Sequence, residues 1–139
     1  MFIILIIVLL LLIIGGILIS VFNRFVSNRN VVKDAWSNID VALKRRHDLI
    51  PNLVRTVKGY ASHEQETLEK VISARNSAMS TPSGDINAQI KSENLLQQSL
   101  RSLFALSEAY PDLKANTNFM DLQQKLNEIE ENLERSRRY

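Results

Sequence analysis

The sequence predicts an all-α protein, with an N-terminal transmembrane helix followed by an antiparallel helical bundle of long, coiled-coil-like helices. Three observations predict it. Met1 to Phe22 carries no charged side chain and is built almost entirely of Ile, Leu and Val. Beyond that run, apolar residues recur at steps of three and four, the period of one helix face. No stretch of useful length alternates apolar with polar residues as a half-buried strand would.

At a rise of about 1.5 Å per residue, residues 2–22 span roughly 30 Å, the thickness of a bilayer's hydrocarbon core. A cleaved signal peptide would need a basic start and a small-residue cleavage site, and the first Ala in the chain is Ala35. Residues 1–22 are therefore read as a retained single-pass anchor and residues 23–139 as a helical bundle domain. Arg24, Arg29 and Lys33 follow the span and no basic side chain precedes it. Cationic flanks stay on the cytoplasmic side, so the expected topology has the N-terminus outside and the bundle cytoplasmic.

Between Ile17 and Ile50 there is neither Gly nor Pro, so the spanning helix is expected to run on into a helix over residues 24–60. Its seam is Val32, Trp36, Ile39, Leu43, then Ile50, Leu53, Val57 and Tyr60. Arg46 stands where the seam calls for an apolar residue, which predicts a carboxylate partner that fixes register in the bundle. Pro51 lacks an N–H and crowds the carbonyl of His47, so a kink is expected at 47–51. Ser62 and Gln65 are spaced as a capping box and predict a second helix over 62–79. Thr81-Pro82-Ser83-Gly84-Asp85 reads as a turn. A third helix is expected over 86–109, with a stripe of Leu96, Leu100, Leu103 and Phe104, stopping at Tyr110-Pro111. The last helix, over 118–139, carries the cleanest period, with Phe119, Leu122, Leu126, Ile129 and Leu133 on one seam.

Charge divides unevenly: residues 23–58 hold eight Lys or Arg against three acids, and residues 59–134 hold six against twelve. A basic first helix is thus expected to pack on acidic later ones, within one subunit or between neighbours. The densest cluster, Lys44-Arg45-Arg46-His47-Asp48, lies about 30 Å beyond the span, several Debye lengths from any headgroup. It is short, lacks interleaved aromatics and sits in a domain that is otherwise acidic, so nucleic acid is not the expected ligand. The chain has no Cys, which removes disulfides and thiolate metal sites. His47 and His63 lack the spacing and the companion acids of a metal site, and there is no Gly-rich loop or nucleophile elbow. The reading therefore names no catalytic, metal or cofactor residues and no small-molecule substrate, and expects a non-enzyme.

Two strings go further than periodicity. Ala35-Trp36-Ser37-Asn38-Ile39-Asp40-Val41, continued by Leu43-Lys44-Arg45-Arg46-His47-Asp48-Leu49-Ile50-Pro51-Asn52-Leu53-Val54, Val57-Lys58-Gly59-Tyr60-Ala61 and His63-Glu64, is the first. The second is Glu108-Ala109-Tyr110-Pro111-Asp112-Leu113-Lys114-Ala115-Asn116. Together with the N-terminal anchor they resemble the LemA family over nearly the whole chain. The resemblance implies a bacterial-type inner-membrane protein with a helical domain, an outside N-terminus and no assigned enzymatic activity. It also implies, through magnetosome-membrane relatives, a role in organising membranes. Family members continue past the segment matching Arg137-Arg138-Tyr139, so the chain resembles a form shortened at its C-terminus.

These observations lead to the expectation of a membrane-anchored, non-catalytic scaffold or assembly protein that organises membranes or membrane-protein complexes. The alternative is an adaptor or regulator of a single membrane-protein partner. The expected partners are the membrane, further copies in a homo-oligomer and possible docking to another membrane protein. Candidate interaction residues are Trp36 and Arg46 on the first helix and Phe119, Leu122, Leu126, Ile129 and Leu133 on the last. Both seams could instead be satisfied inside one subunit, as in an ordinary antiparallel bundle.

Overall fold

The computed structural model describes residues 1–82 and 84–136, and every regular element among the described residues is helical. Helix α1 runs from Phe2 to Tyr60, 59 residues without a break, about 90 Å at the standard rise. The span expected over 2–22 and the helix expected over 24–60 are therefore one rod. Asn23, Ser27, Asn28 and Asn30 do not interrupt it, because each costs only about 0.7 kcal/mol or less relative to Ala in a helix interior. The helix also passes through Pro51.

Four shorter helices follow: α2 (Gln65–Ser80), α3 (Ile86–Ser107), α4 (Pro111–Lys114) and α5 (Thr117–Ser136). The expected third helix over 86–109 ends two residues early. Residues 137–139 of the expected last helix, and Ser83 in the expected turn, lie outside the described residues.

Two local expectations are corrected. The residue preceding α2 is Glu64, which makes no side-chain cap, and Ser62 is not the cap. Glu64 folds back through its backbone N–H onto the carbonyl of Ala61 at 3.1 Å, while its carboxylate is engaged by Tyr110 at 2.9 Å. The break at Tyr110-Pro111 is the entrance to α4, where Pro111 occupies the first turn and its missing N–H leaves nothing unpaired. Caps do form at the other two starts. Asp85 Oδ1 accepts from the Ala88 N–H at 3.0 Å ahead of α3, and Asn116 Oδ1 accepts from the Phe119 N–H at 3.0 Å ahead of α5.

The helices assemble as an antiparallel bundle. α5 lies along α1 in the opposite sense, with Asn116 bonded to Tyr60 at one end and Leu133 packed with Leu43 at the other. α2 and α3 form a hairpin that packs on α1 through α2 and joins the shared core through α3. The main core joins Ile50, Leu53 and Val57 of α1 to Val71 of α2, Leu96 and Leu103 of α3, Leu113 of α4 and Phe119 of α5. A smaller cluster of Leu43, Ile129 and Leu133 lies nearer the apolar run. No residue of α1 before Leu43 is buried, and residues 23–34, all exposed, form a bare helical stalk between the apolar run and the bundle.

Candidate functional site

The polar centre of the bundle grows out of the one flaw in the α1 seam. The steps of three and four that aim Leu43 and Ile50 inward aim Arg46 inward as well, and its side chain is buried, at 4% exposure. A guanidinium there must be met by carboxylates, since an isolated buried charge is prohibitively costly. Two are supplied from the chain itself. Arg46 Nη2 donates to Glu130 Oε2 of α5 at 2.8 Å, and Nη1 reaches Glu93 Oε2 of α3 at 3.4 Å, a longer and weaker contact. The other oxygen of Glu93 meets His47 Nε2 at 2.7 Å. The other oxygen of Glu130 accepts from the amide of Gln97, one turn along α3 from Glu93. Among the described residues no buried side-chain polar atom lacks a partner.

This network ties α1, α3 and α5 together at one level, and α2 joins it through the backbone. Pro51 has no N–H to give to the carbonyl of His47, and Arg75 of α2 takes that carbonyl instead, its Nε donating at 2.7 Å. A carbonyl freed within the helix thus becomes a contact between helices. Arg75→Met is expected to cost about 1–3 kcal/mol, the range for a lost charge-assisted hydrogen bond and a stranded buried acceptor. Adding Pro51→Ala, which restores an N–H to that carbonyl, is expected to return part of the loss. A double-mutant cycle by urea unfolding reads this coupling, and strict additivity of the two changes would refute it.

The far end of the bundle is held by a second set of bonds. The Tyr110 hydroxyl donates to Glu64, which raises its phenol above the ordinary range, first through that bond and then through desolvation and the carboxylate's charge. Tyr60 accepts from Asn116 at 2.9 Å. The two strings that carry the family resemblance are therefore brought together here, although 46 residues separate Glu64 from Tyr110.

The remaining candidate residues divide by environment. Phe119, Leu122, Leu126, Ile129 and Leu133 are all buried within the chain, facing α1 and the core. Trp36 is 42% exposed, at the mouth of a groove that it lines with Ile39, Ile86, Ile90 and Leu133. His63 is exposed and His47 is engaged by Glu93. Among the described residues no group of three or more His, Cys, Asp or Glu could hold a metal ion. Glu93, Glu130, Gln97 and Arg75 were not singled out from sequence. Glu93 had a signal, since it interrupts the α3 stripe between Ile90 and Leu96 as Arg46 interrupts that of α1. Glu130 had none.

A sequence model of the LemA family matches residues 35–139. The chain belongs to the LemA family. The LemA match begins at Ala35, one residue before Trp36, and takes in the whole bundle. Protein LemA of Metamycoplasma hominis is 29% identical over 98 residues, covering 70% of this chain and 44% of that relative. The aligned part of the chain thus spans less than half the length of that LemA protein.

Proposed function

We propose that this LemA-family chain is a membrane-anchored, non-catalytic scaffold. In this reading the apolar part of α1 crosses the inner membrane once, and the bundle associates with further copies or docks another membrane protein. The observation that carries the reading is the unbroken α1. It contains a charge-free run long and apolar enough to cross a membrane and continues as one helix into the bundle core. A rod of this kind holds its bundle at a fixed height, which suits assembly better than diffusion-limited chemistry. The buried ionic network fits the same role, because its polar groups are committed to one another and to register between helices. Arg24, Arg29 and Lys33 favour a cytoplasmic bundle and an outside N-terminus.

The test is the state of the full chain extracted in mild detergent. Homogeneous particles larger than one copy are the expected result, together with a bundle that external protease leaves uncut in intact cells. Monomers would favour the adaptor to a single partner, and digestion from outside would reverse the topology.

A further inference from the structure

We propose that the bare stalk of α1 is the seam of a parallel two-stranded coiled coil formed with a second copy in the same membrane, an inference that rests on the scaffold reading. Phe22, Phe25, Arg29, Val32, Trp36 and Ile39 follow one another at steps of three and four. That series is continuous with Leu43, Arg46, Ile50, Leu53 and Val57, the stripe that the chain's own helices bury. One heptad stripe therefore has two halves. The C-terminal half is covered from Ile39 onward, whereas Phe25 is 71%, Val32 51% and Trp36 42% exposed.

Lipid reaches Phe22 and Phe25 but does not cover the rest of the open half. Val32 and Trp36 lie ten and fourteen residues past Phe22, roughly 15 and 21 Å along the helix, whereas the headgroup layer is only about 5–8 Å thick on each side. A second copy meets the requirements set by the anchor. Two chains held by the same span present their stalks parallel and at equal height, so each seam residue faces its own counterpart, as a two-fold contact demands. The flanking positions allow it. Asn28 and Ala35 on one side face Lys33 and Asp40 on the other, so the flanks set no like charges against one another and only the two Arg29 side chains meet as like charges. Arg29 selects two strands. In a dimer its long side chain can carry the guanidinium out to water, whereas a trimer or tetramer would enclose it.

The seam is short, with four open apolar side chains per copy over about 21 Å, less than the roughly 800 Å² per partner of a standard interface. Confinement in one bilayer supplies the missing drive as effective concentration. Ile86 and Ile90 of α3, each 47% exposed, lie beside Trp36 and Ile39 and widen the apolar surface where the stalk enters the bundle.

The absence of cysteine makes the stalk directly readable. Single substitutions Phe25→Cys, Val32→Cys and Trp36→Cys, and on the opposite face Ser27→Cys, Asp34→Cys and Ser37→Cys, are made in the full-length protein in its native membrane and oxidised. Disulfide-linked dimer is expected at the first three and about tenfold less at the others. A flat profile, a maximum on the opposite face, or no dimer at any position would overturn the proposal. Amine crosslinking of the cysteine-free chain in the same membranes separates this failure from that of the scaffold reading. Crosslinked assemblies without stalk disulfides leave the scaffold standing and remove the stalk seam, whereas monomers in both assays remove both.

Discussion

Arg46→Met is expected to lower the unfolding free energy of the bundle by about 3–5 kcal/mol, the range for breaking a buried ion pair from one side. The loss is large because of what remains. Glu93, 2% exposed, would keep only His47, and the half-buried Glu130 would keep Gln97, leaving a buried carboxylate without its cation and a second carboxylate beside it. A compensated variant tests the cause. Arg46→Met with Glu93→Leu and Glu130→Gln removes the excess charge along with the arginine and is expected to recover most of the stability. Urea unfolding of the full chain in detergent, followed by far-ultraviolet circular dichroism, measures both. A loss below about 1 kcal/mol for Arg46→Met would mean that the network contributes register without strength. Because both carboxylates belong to the same chain as Arg46, Arg46→Glu tests folding before it tests assembly.

The second large effect is expected at Phe119. Its side chain is fully buried and meets Phe104 edge to face, with ring centroids 6.1 Å apart and planes at 70°, a favoured geometry for aromatic pairs. It also sits at the start of α5, where its backbone N–H is taken by Asn116, so side chain and cap locate the same turn. Phe119→Ala is expected to cost about 3–5 kcal/mol, combining lost transfer energy with a cavity among Leu and Val side chains that cannot close over it. Phe119→Leu keeps most of the volume and is expected to cost less than half as much. Equal losses for the two variants would place the effect in the cap instead of the packing.

Much of this fold was legible because helices report themselves through period and interruption. The lack of Gly and Pro from residue 18 to residue 49 accounts for the continuity of α1, and the spacing from Phe119 to Leu133 accounts for the buried face of α5. Arg46 was visible as a polar residue on an apolar face. Its partners were less so, because periodicity says which face of a helix turns inward and not which helix it meets. Glu93 occupies a stripe position, but Glu130 lies beside its own seam at Ile129 and is brought in only by the antiparallel register of α5 on α1. The second helix start was misread for a related reason. Ser62 and Gln65 have the local spacing of a cap, yet Glu64 is already committed to Tyr110. α4 is four residues long and has too few positions to show a period.

Because α1 is continuous from the apolar run into the core, residue number along the stalk is also a rotation angle. Each residue advances a helix by about 100° and 1.5 Å, so one residue inserted near Asn28 would swing the bundle about a quarter turn about the rod's axis. Seven inserted residues would lift it by about 10 Å and return it to within about 20° of its starting azimuth. The compass direction in which Trp36, Ile86 and Ile90 face is thus geared to the azimuth of the apolar run at the other end of the same helix.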